Sequence, residues 1–318
     1  MLVTGSTGFI GSRLVPTLRA RGHDVAALTR DAAGYEGDAD TVYEGDVLEA
    51  GSFEHALERV DAAYYLVHSL GADDFRQKDR RAARNFRRAA SDADVERVVY
   101  LSGLGDEDED EDDEEDLSEH LESRREVERI LAAGTFDLTT LRAAIIIGEG
   151  NESFRIVRQL AGRLPLMVTP RWVRNGCQPI AVDDVVAYLA GVLETPATAS
   201  NVYEVGGPEA LTYGSLLERT AEVMGHSVLV VPVPVLTPRL SAYWVELVTD
   251  VPEEVVRPLV EGLQNEVTAD DVAIRAVLPT ALTPYRSAIG RALEEDGDGP
   301  SVAERATAKL GEITVGRA

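Results

Sequence analysis

The sequence predicts an α/β fold, a doubly wound parallel sheet with a smaller C-terminal cap, and three observations predict it. The chain opens on a short apolar strand, Leu2-Val3, that passes through Gly5, Gly8 and Gly11 into an amphipathic segment marked by Ile10, Leu14 and Leu18. A second strand, Asp24 to Leu28, follows at the spacing of a β-α-β unit. Strand-like and helix-like stretches then alternate as far as Val205, the pattern that builds a parallel sheet covered on both faces.

The first turn carries the chemistry. Gly5 permits a sharp bend, Gly8 removes a Cβ from the path of a pyrophosphate, and Gly11 lets the helix pack close to the strand. The helix N-terminus then turns its positive end toward the phosphates. The whole turn, Gly5, Ser6, Thr7, Gly8, Phe9, Ile10 and Gly11, is therefore the candidate dinucleotide cradle. Only Met1, Leu2 and Val3 precede it, where about five strand residues are usual, which implies a trimmed first strand or a translation start upstream.

The second strand ends Leu28-Thr29-Arg30. An NAD site places an acid near this point for the ribose 2′-hydroxyl, whereas a cation suits the 2′-phosphate of NADP. Arg30, with Arg13 just beyond the third glycine, favours NADP; Asp31, directly after Arg30, speaks for NAD. Thr41 to Tyr43 forms the third strand and Ala62 to Val67 the fourth. The fourth delivers Val67 and His68 to the carboxyl end of the sheet, where open α/β sheets bind ligands. Asp74 to Ala90 is a helix whose Arg76, Arg80, Arg84 and Arg88 share one stripe, a face for ion pairing within the chain or for a homodimer. Val98 to Leu101 is the fifth strand, and the acidic run Asp106 to Asp116 after it repels itself too strongly to bury anything or to fix a metal.

A helix opens at Leu117 to Arg124, and Phe136 to Ile147 reads as one strand. From Gly148 the pattern changes. Ser153 to Leu160 is a short helix, residues 164–172 an irregular, ligand-sized segment, and Gln178 to Ala181 a return to the sheet, with Asp183-Asp184 capping the helix Val185 to Leu193. Asn201 to Val205 is a strand, Thr212 N-caps a helix to Met224, Val228 to Val231 is a strand, and Pro232 to Pro252 a lid. A final helix runs to Leu293. Arg171 and Trp172 among prolines, with Gln178, are candidate linings for an anionic or planar substrate. The division expected is a nucleotide-binding domain over 1–150 joined by 178–206, a cap over 151–177 and 207–293, and an acidic linker with a helical tail over 294–318.

Composition narrows the partners. The 318 residues carry a formal charge of −25, and their 31 basic residues include only two lysines, Lys78 and Lys309. Such a surface suits a salt-loaded, halophilic cytoplasm, because at molar salt the Debye length is about 3 Å. It argues against nucleic-acid binding. The single cysteine, Cys177, excludes a disulfide framework. No apolar run approaches the roughly 18 residues of a membrane span, so a cytoplasmic protein without membrane insertion, acting on a small molecule, is expected.

The spacing Gly5-x-x-Gly8-x-x-Gly11, Tyr64-Tyr65-Leu66-Val67-His68-Ser69, Ser118-x-His120-Leu121-x-Ser123-Arg124, Arg163-Leu164-Pro165-x-Met167-x-Thr169-Pro170-Arg171-Trp172, Gln178-Pro179-Ile180-Ala181 and Gly206-Gly207-Pro208 together resemble the atypical, extended short-chain dehydrogenase/reductase superfamily. The set is similar to its YbjT-type branch, related to NmrA-like proteins and to accessory subunits of respiratory complex I. The resemblance covers residues 1 to about 293. It implies a Rossmann domain with a cap, NAD(P) binding, Asp46 and Val47 beside the adenine, and Ser102 in the position of the superfamily's serine. The usual Tyr-x-x-x-Lys pair is absent; His120 and Arg124 stand there, implying a proton donor and a clamp for cofactor or substrate. Three functions are compatible with this resemblance: an NADPH-dependent reductase of a small organic carbonyl or quinone-like compound, a non-catalytic NADP(H)-binding regulator or assembly subunit, and a sugar-nucleotide epimerase. The first is the leading expectation.

Overall fold

A computed structural model of the chain describes residues 1–69, 74–105, 118–163, 166–169, 171–232, 249–251, 259, 262–263, 266–295 and 297. The acidic run Asp106 to Asp116, nearly all of the expected lid and the C-terminal tail lie outside the described residues.

Seven strands form one sheet: β1 (Leu2–Thr4), β2 (Ala26–Thr29), β3 (Thr41–Glu44), β4 (Ala62–Tyr65), β5 (Arg97–Gly103), β6 (Asp137–Ala143) and β7 (Val202–Val205). Their order is β7-β6-β5-β4-β1-β2-β3, and every pairing is parallel. The order reverses at β1, whose Leu2 is level with Ala26 of β2 on one side and Ala63 of β4 on the other. That reversal is where such sheets open a ligand crevice. Among the described residues the helices are α1 (Gly11–Ala20), α2 (Phe75–Asp92), α3 (Glu119–Ala132), α4 (Glu152–Arg163), α5 (Val182–Glu194), α6 (Tyr213–Val223), α7 (Val272–Val277) and α8 (Tyr285–Glu295).

Strand alternation divides the apolar residues between two faces. Tyr65, Val98 and Tyr100 pack under Phe86 of α2 and Leu131 of α3. Tyr64 and Val99 pack on the opposite face under Leu14 and Leu18 of α1 and Val185 and Leu189 of α5. The Tyr64 hydroxyl, fully buried, donates to the Leu189 carbonyl at 3.0 Å. A third cluster joins α4, α6 and α8 through Phe154, Leu160, Leu216, Tyr285 and Ile289, and closes over one end of the sheet as a cap.

Several elements differ from expectation for physical reasons. The stretch Phe136 to Ile147 is two strands, because Ile146–Ile147 leaves the sheet to pair with Ile180–Ala181. Residues Leu166–Thr169 of the segment expected to be irregular form a strand parallel to Leu229–Pro232. Asp184 does not cap α5; its carboxylate accepts from the amide and hydroxyl of Thr283, at 2.7 and 3.0 Å, and so fastens the approach to α8. Thr212 caps α6 as expected, accepting from the Ser215 amide at 3.1 Å. The first half of the arginine stripe docks inside the chain: Arg76 and Arg80 pair with Glu122 and Glu126 of α3, both at 2.8 Å.

The close approach of α1 to β1 is the tightest demand in this layer. A Cβ on Gly11 would strike the Gly5 carbonyl oxygen and lie 2.7 Å from the Ser6 Cα, both backbone atoms that cannot swing aside. Gly11→Ala is expected to lower unfolding stability by about 2–3 kcal/mol in urea melts, whereas Gly22→Ala, with open space around it, loses only the cost of its positive φ, about 1 kcal/mol. Equal losses at the two positions would contradict this packing.

Candidate functional site

A cleft of about 1090 Å³ opens at the carboxyl ends of the strands, between the sheet and the cap. Its floor is the turn after β1. Gly5 has φ +67°, and a Cβ there would sit 2.8 Å from the Leu66 carbonyl oxygen, so only glycine lets the turn lie against the end of β4. Around Gly8 the nearest atom to an added Cβ is the Gly5 carbonyl at 3.2 Å. The first turn of α1 has no side-chain cap and no acidic residue. A glycine cradle under an uncapped helix N-terminus fits a pyrophosphate, which supplies the missing acceptors. Gly5, Thr7, Gly8, Phe9, Ile10 and Gly11 all line the cleft; Ser6 does not, being buried with its hydroxyl donating to the Leu28 carbonyl at 3.2 Å.

At the outer end stand Arg30, Asp46 and Val47. Arg30 is exposed and makes no ion pair among the described residues. Asp31, the competing acid, lines the same end of the cleft, and its carboxylate accepts from the Gly34 amide at 3.0 Å. The Asp46 carboxylate accepts from the Leu48 amide at 2.8 Å, which fixes its direction.

The inner wall is built by the end of β4, the end of β5 and the start of α3, and carries Val67, His68, Ser102, His120 and Arg124. Ser118 caps α3 by accepting from the Leu121 amide at 3.4 Å. Gly103 leaves room for α3 to close in, since a Cβ there would lie 2.7 Å from Leu121 Cδ2. The Ser102 hydroxyl is buried and has no hydrogen-bond partner among the described residues. Both histidines border the cleft within reach of water, yet the surrounding protein disfavours their charged forms and the Arg124 cation repels a second charge. His68 is held well below its ordinary pKa and His120 is pushed down to about 3. With its pKa below neutrality His120 is an uncharged hydrogen-bonding ring at neutral pH, and the permanent charge on this wall belongs to Arg124.

One residue of this wall escapes the motif reading. Asp79 of α2 is 5% exposed, and burial raises the pKa of its carboxyl, with the Arg124 charge opposing. One oxygen accepts from the Ser69 amide at 2.7 Å, next to His68, and the other from the Ser123 hydroxyl at 3.3 Å, next to Arg124. A single carboxylate thus ties together the two segments that present His68 and Arg124. A buried acid on the apolar face of a helix was the available signal.

Other predicted residues lie elsewhere. Arg13 is not among the residues lining the cleft; its guanidinium stacks on Phe9 at 4.8 Å, donates to the Phe9 and Glu149 carbonyls, both at 3.0 Å, and pairs with Glu295 at 3.1 Å, binding α1 to the cap. Gln178 also stands apart from the cleft. Its side chain donates to the Gly207 carbonyl at 2.7 Å and accepts from the Ala269 amide at 3.0 Å, a brace between cap segments. Trp172 lines the cleft, edge-on to Tyr213 with ring centres 6.0 Å apart; the side chain of Arg171 lies outside the described part of the structure. The described residues hold no group of three or more His, Cys, Asp or Glu side chains placed for a metal, and no helix long and apolar enough to cross a membrane.

Comparison with known proteins bears on this geometry. Residues 5–195 match a family described as NAD(P)H-binding. A 3-diazoavenalumate denitrifying reductase from a Streptomyces species is 32% identical over 229 residues, 62% of this chain and 73% of that protein. A chloroplastic divinyl chlorophyllide a 8-vinyl-reductase from Oryza sativa subsp. indica is 26% identical over 266 residues, 74% of this chain and 61% of that protein. Among solved structures, a Citrobacter triphenylmethane reductase complexed with NADP(H) superposes with a TM-score of 0.69 at 18% identity, covering 92% of this chain and 99% of the other, which establishes a shared fold.

The Asp79 tie yields a graded expectation. Asp79→Ala strands a backbone amide and a hydroxyl and is expected to cost about 2–3 kcal/mol in urea unfolding. Asp79→Asn keeps an acceptor while removing a costly buried charge, so its loss stays under about 1 kcal/mol. Indistinguishable losses would remove the hydrogen-bonding role from Asp79.

Proposed function

The chain belongs to the NAD(P)H-binding family, and on that footing we propose that it is an NADPH-dependent oxidoreductase acting on a small organic carbonyl or quinone-like compound. The observation that carries this reading is the continuity of the cleft: the glycine cradle and the Arg124 wall open into one space that the cap closes with apolar side chains. The reductase names of the relatives above agree with it.

In this reading the backbone of Gly5 to Gly11 holds the pyrophosphate, Asp46 and Val47 flank the adenine, and Arg30 meets the 2′-phosphate. Asp31 lines the same end of the cleft with one carboxylate oxygen engaged by the Gly34 amide, while the exposed Arg30 makes no ion pair among the described residues. NADPH supplies a hydride when bound. The residues of the inner wall then act on the substrate oxygen. Arg124 faces the negative charge that develops there, an electrostatic role that a permanent cation fills in a cleft partly shielded from water. His120 and His68, both neutral, orient the oxygen by hydrogen bonding, and the proton that completes the product comes from water at the cleft mouth. The missing Tyr-x-x-x-Lys pair and the neutral His120 also favour a second reading, a binding protein that senses NADPH without turnover.

One set of titrations separates these. In molar KCl, NADPH is expected to bind more tightly than NADH, and Arg30→Ala to weaken NADPH by about tenfold, the worth of roughly 1.4 kcal/mol, with NADH unchanged. Against a panel of quinones and aromatic ketones the wild type is expected to consume NADPH, and Arg124→Gln to lose about a hundredfold in kcat while still binding it. Tight NADPH binding with no turnover across the panel selects the sensor reading; equal binding of both cofactors removes the role given to Arg30.

A further inference from the structure

The glycine turn offers a diphosphate backbone amides and a helix N-terminus, but no cation. Arg13, the cation nearest to it in sequence, is turned away to Phe9, Glu149 and Glu295. The rest of the cleft deepens the shortage, because Asp31, Asp46 and Glu152 also line it, in a chain whose net charge is −25. A pyrophosphate held by dipoles alone would meet a field of its own sign. Three cations among the described residues line the same cleft: Arg30 after β2, Lys78 on α2 and Arg124 on α3. Arg30 stands at the outer end and Arg124 on the inner wall, which leaves the stretch between them to Lys78.

Two contacts of α2 place Lys78 there. Its neighbour Asp79 accepts from the Ser69 amide at 2.7 Å, three residues beyond Leu66, whose carbonyl lies against Gly5. Seven residues on from Lys78, close to two whole turns and so on the same face of α2, Asn85 donates to the Val47 carbonyl at 2.9 Å. The face that bears Lys78 therefore runs from the end of β4, beside the glycine turn, to the loop after β3.

The residue type is informative as well. The 31 basic residues include two lysines, and the other, Lys309, lies outside the described residues. A chain that uses arginine almost everywhere keeps a lysine at this point. A guanidinium is broad and planar, whereas an ammonium is a compact charge that can turn its donors toward phosphate oxygens in a narrow space. Lys78 is half-buried and pairs at 2.7 Å with Asp74, an exposed residue that is not among those lining the cleft. A pair of this kind at a surface is worth little, so sharing the ammonium with a dianion sacrifices little.

We propose that Lys78 is the cation that holds the cofactor pyrophosphate, from the α2 side of the cleft. The proposal rests on the reading that the glycine turn holds a nicotinamide dinucleotide. It divides the anions of NADPH between two residues: Arg30 reads the 2′-phosphate, which NADPH alone carries, and Lys78 the pyrophosphate, which NADPH and NADH share.

The test uses the full-length protein in molar KCl and needs no substrate. Limiting acetic anhydride acetylates amines, and mass spectrometry of the digest reads Lys78 and Lys309 separately. With NADPH or NADH at about ten times its Kd, acetylation of Lys78 is expected to fall about tenfold, with Lys309 unchanged; 2′,5′-ADP, which has no pyrophosphate, is expected to protect less at the same occupancy. Lys78→Gln is expected to weaken NADPH and NADH alike by about tenfold, and Lys78→Arg to recover part of the loss. Asp74→Asn breaks the helix pair but keeps the ammonium, so both affinities are expected to stay within about twofold of wild type. Bound NADPH that leaves Lys78 fully reactive, full affinity in Lys78→Gln, a loss confined to NADPH, or an equal loss in Asp74→Asn overturns the proposal and leaves the cofactor reading standing. Failure of the wild type to bind either cofactor overturns the cofactor reading, and the proposal with it.

Discussion

The contact on which the rest of the structure depends is the meeting of three backbones at the centre of the sheet. The turn after β1 lies against the carbonyl of Leu66 at the end of β4, and α1 lies against the turn. Neither approach tolerates a side chain, which is why glycines stand at 5 and 11. Thr4 reinforces the same point: its hydroxyl donates to the Tyr64 carbonyl at 3.0 Å and accepts from the Leu66 amide at 3.3 Å, stitching β1 to β4 where their paths diverge. Because β1 and β4 lead into loops on opposite sides of this seam, the crevice between them is a consequence of topology rather than of any one side chain. The cradle and the segment bearing His68 inherit their positions from it.

Charge is distributed with a purpose that the net value hides. A chain at −25 places Arg30, Lys78 and Arg124 around one cleft, alongside Asp31, Asp46 and Glu152. The arginines of α2 that face α3 are consumed in ion pairs that hold the two helices together, and Asp79 binds both to the inner wall. Arg124 thereby gains a fixed seat, and the surrounding protein together with its charge lowers the pKa of the neighbouring histidines. Exposed pairs of this kind contribute little to stability singly; their effect here is to set the register of α2 against α3.

The sequence made the sheet and the cradle legible because both rest on local patterns: glycine spacing, strand alternation and caps such as Thr212. It was less informative wherever a side chain answers to a residue far along the chain. Arg13 sits at a cofactor-like spacing, yet its partners are Glu149 and Glu295. Gln178 stands in a recognisable motif, yet it braces Gly207 and Ala269. Asp184 has the look of a cap and instead holds Thr283. Asp79 has no motif at all, and its importance follows from burial, which a single sequence shows only as an acid on the apolar side of a helix. The apolar wall of Ile156, Leu160, Leu216 and Leu217 emerges only when α4 and α6, distant in sequence from the glycine turn, fold over it.

The central claim, that the switch-point cleft holds NADPH on the glycine turn and leaves the apolar cap wall free, is tested most directly by a crystal structure grown with NADPH in molar KCl. The account predicts density for the pyrophosphate over Gly5 to Gly11, the 2′-phosphate against Arg30, the nicotinamide beside His68 and Arg124, and no cofactor density against Leu160 and Trp172. A nicotinamide buried against the apolar cap wall, or a pyrophosphate away from the glycine turn, would contradict it.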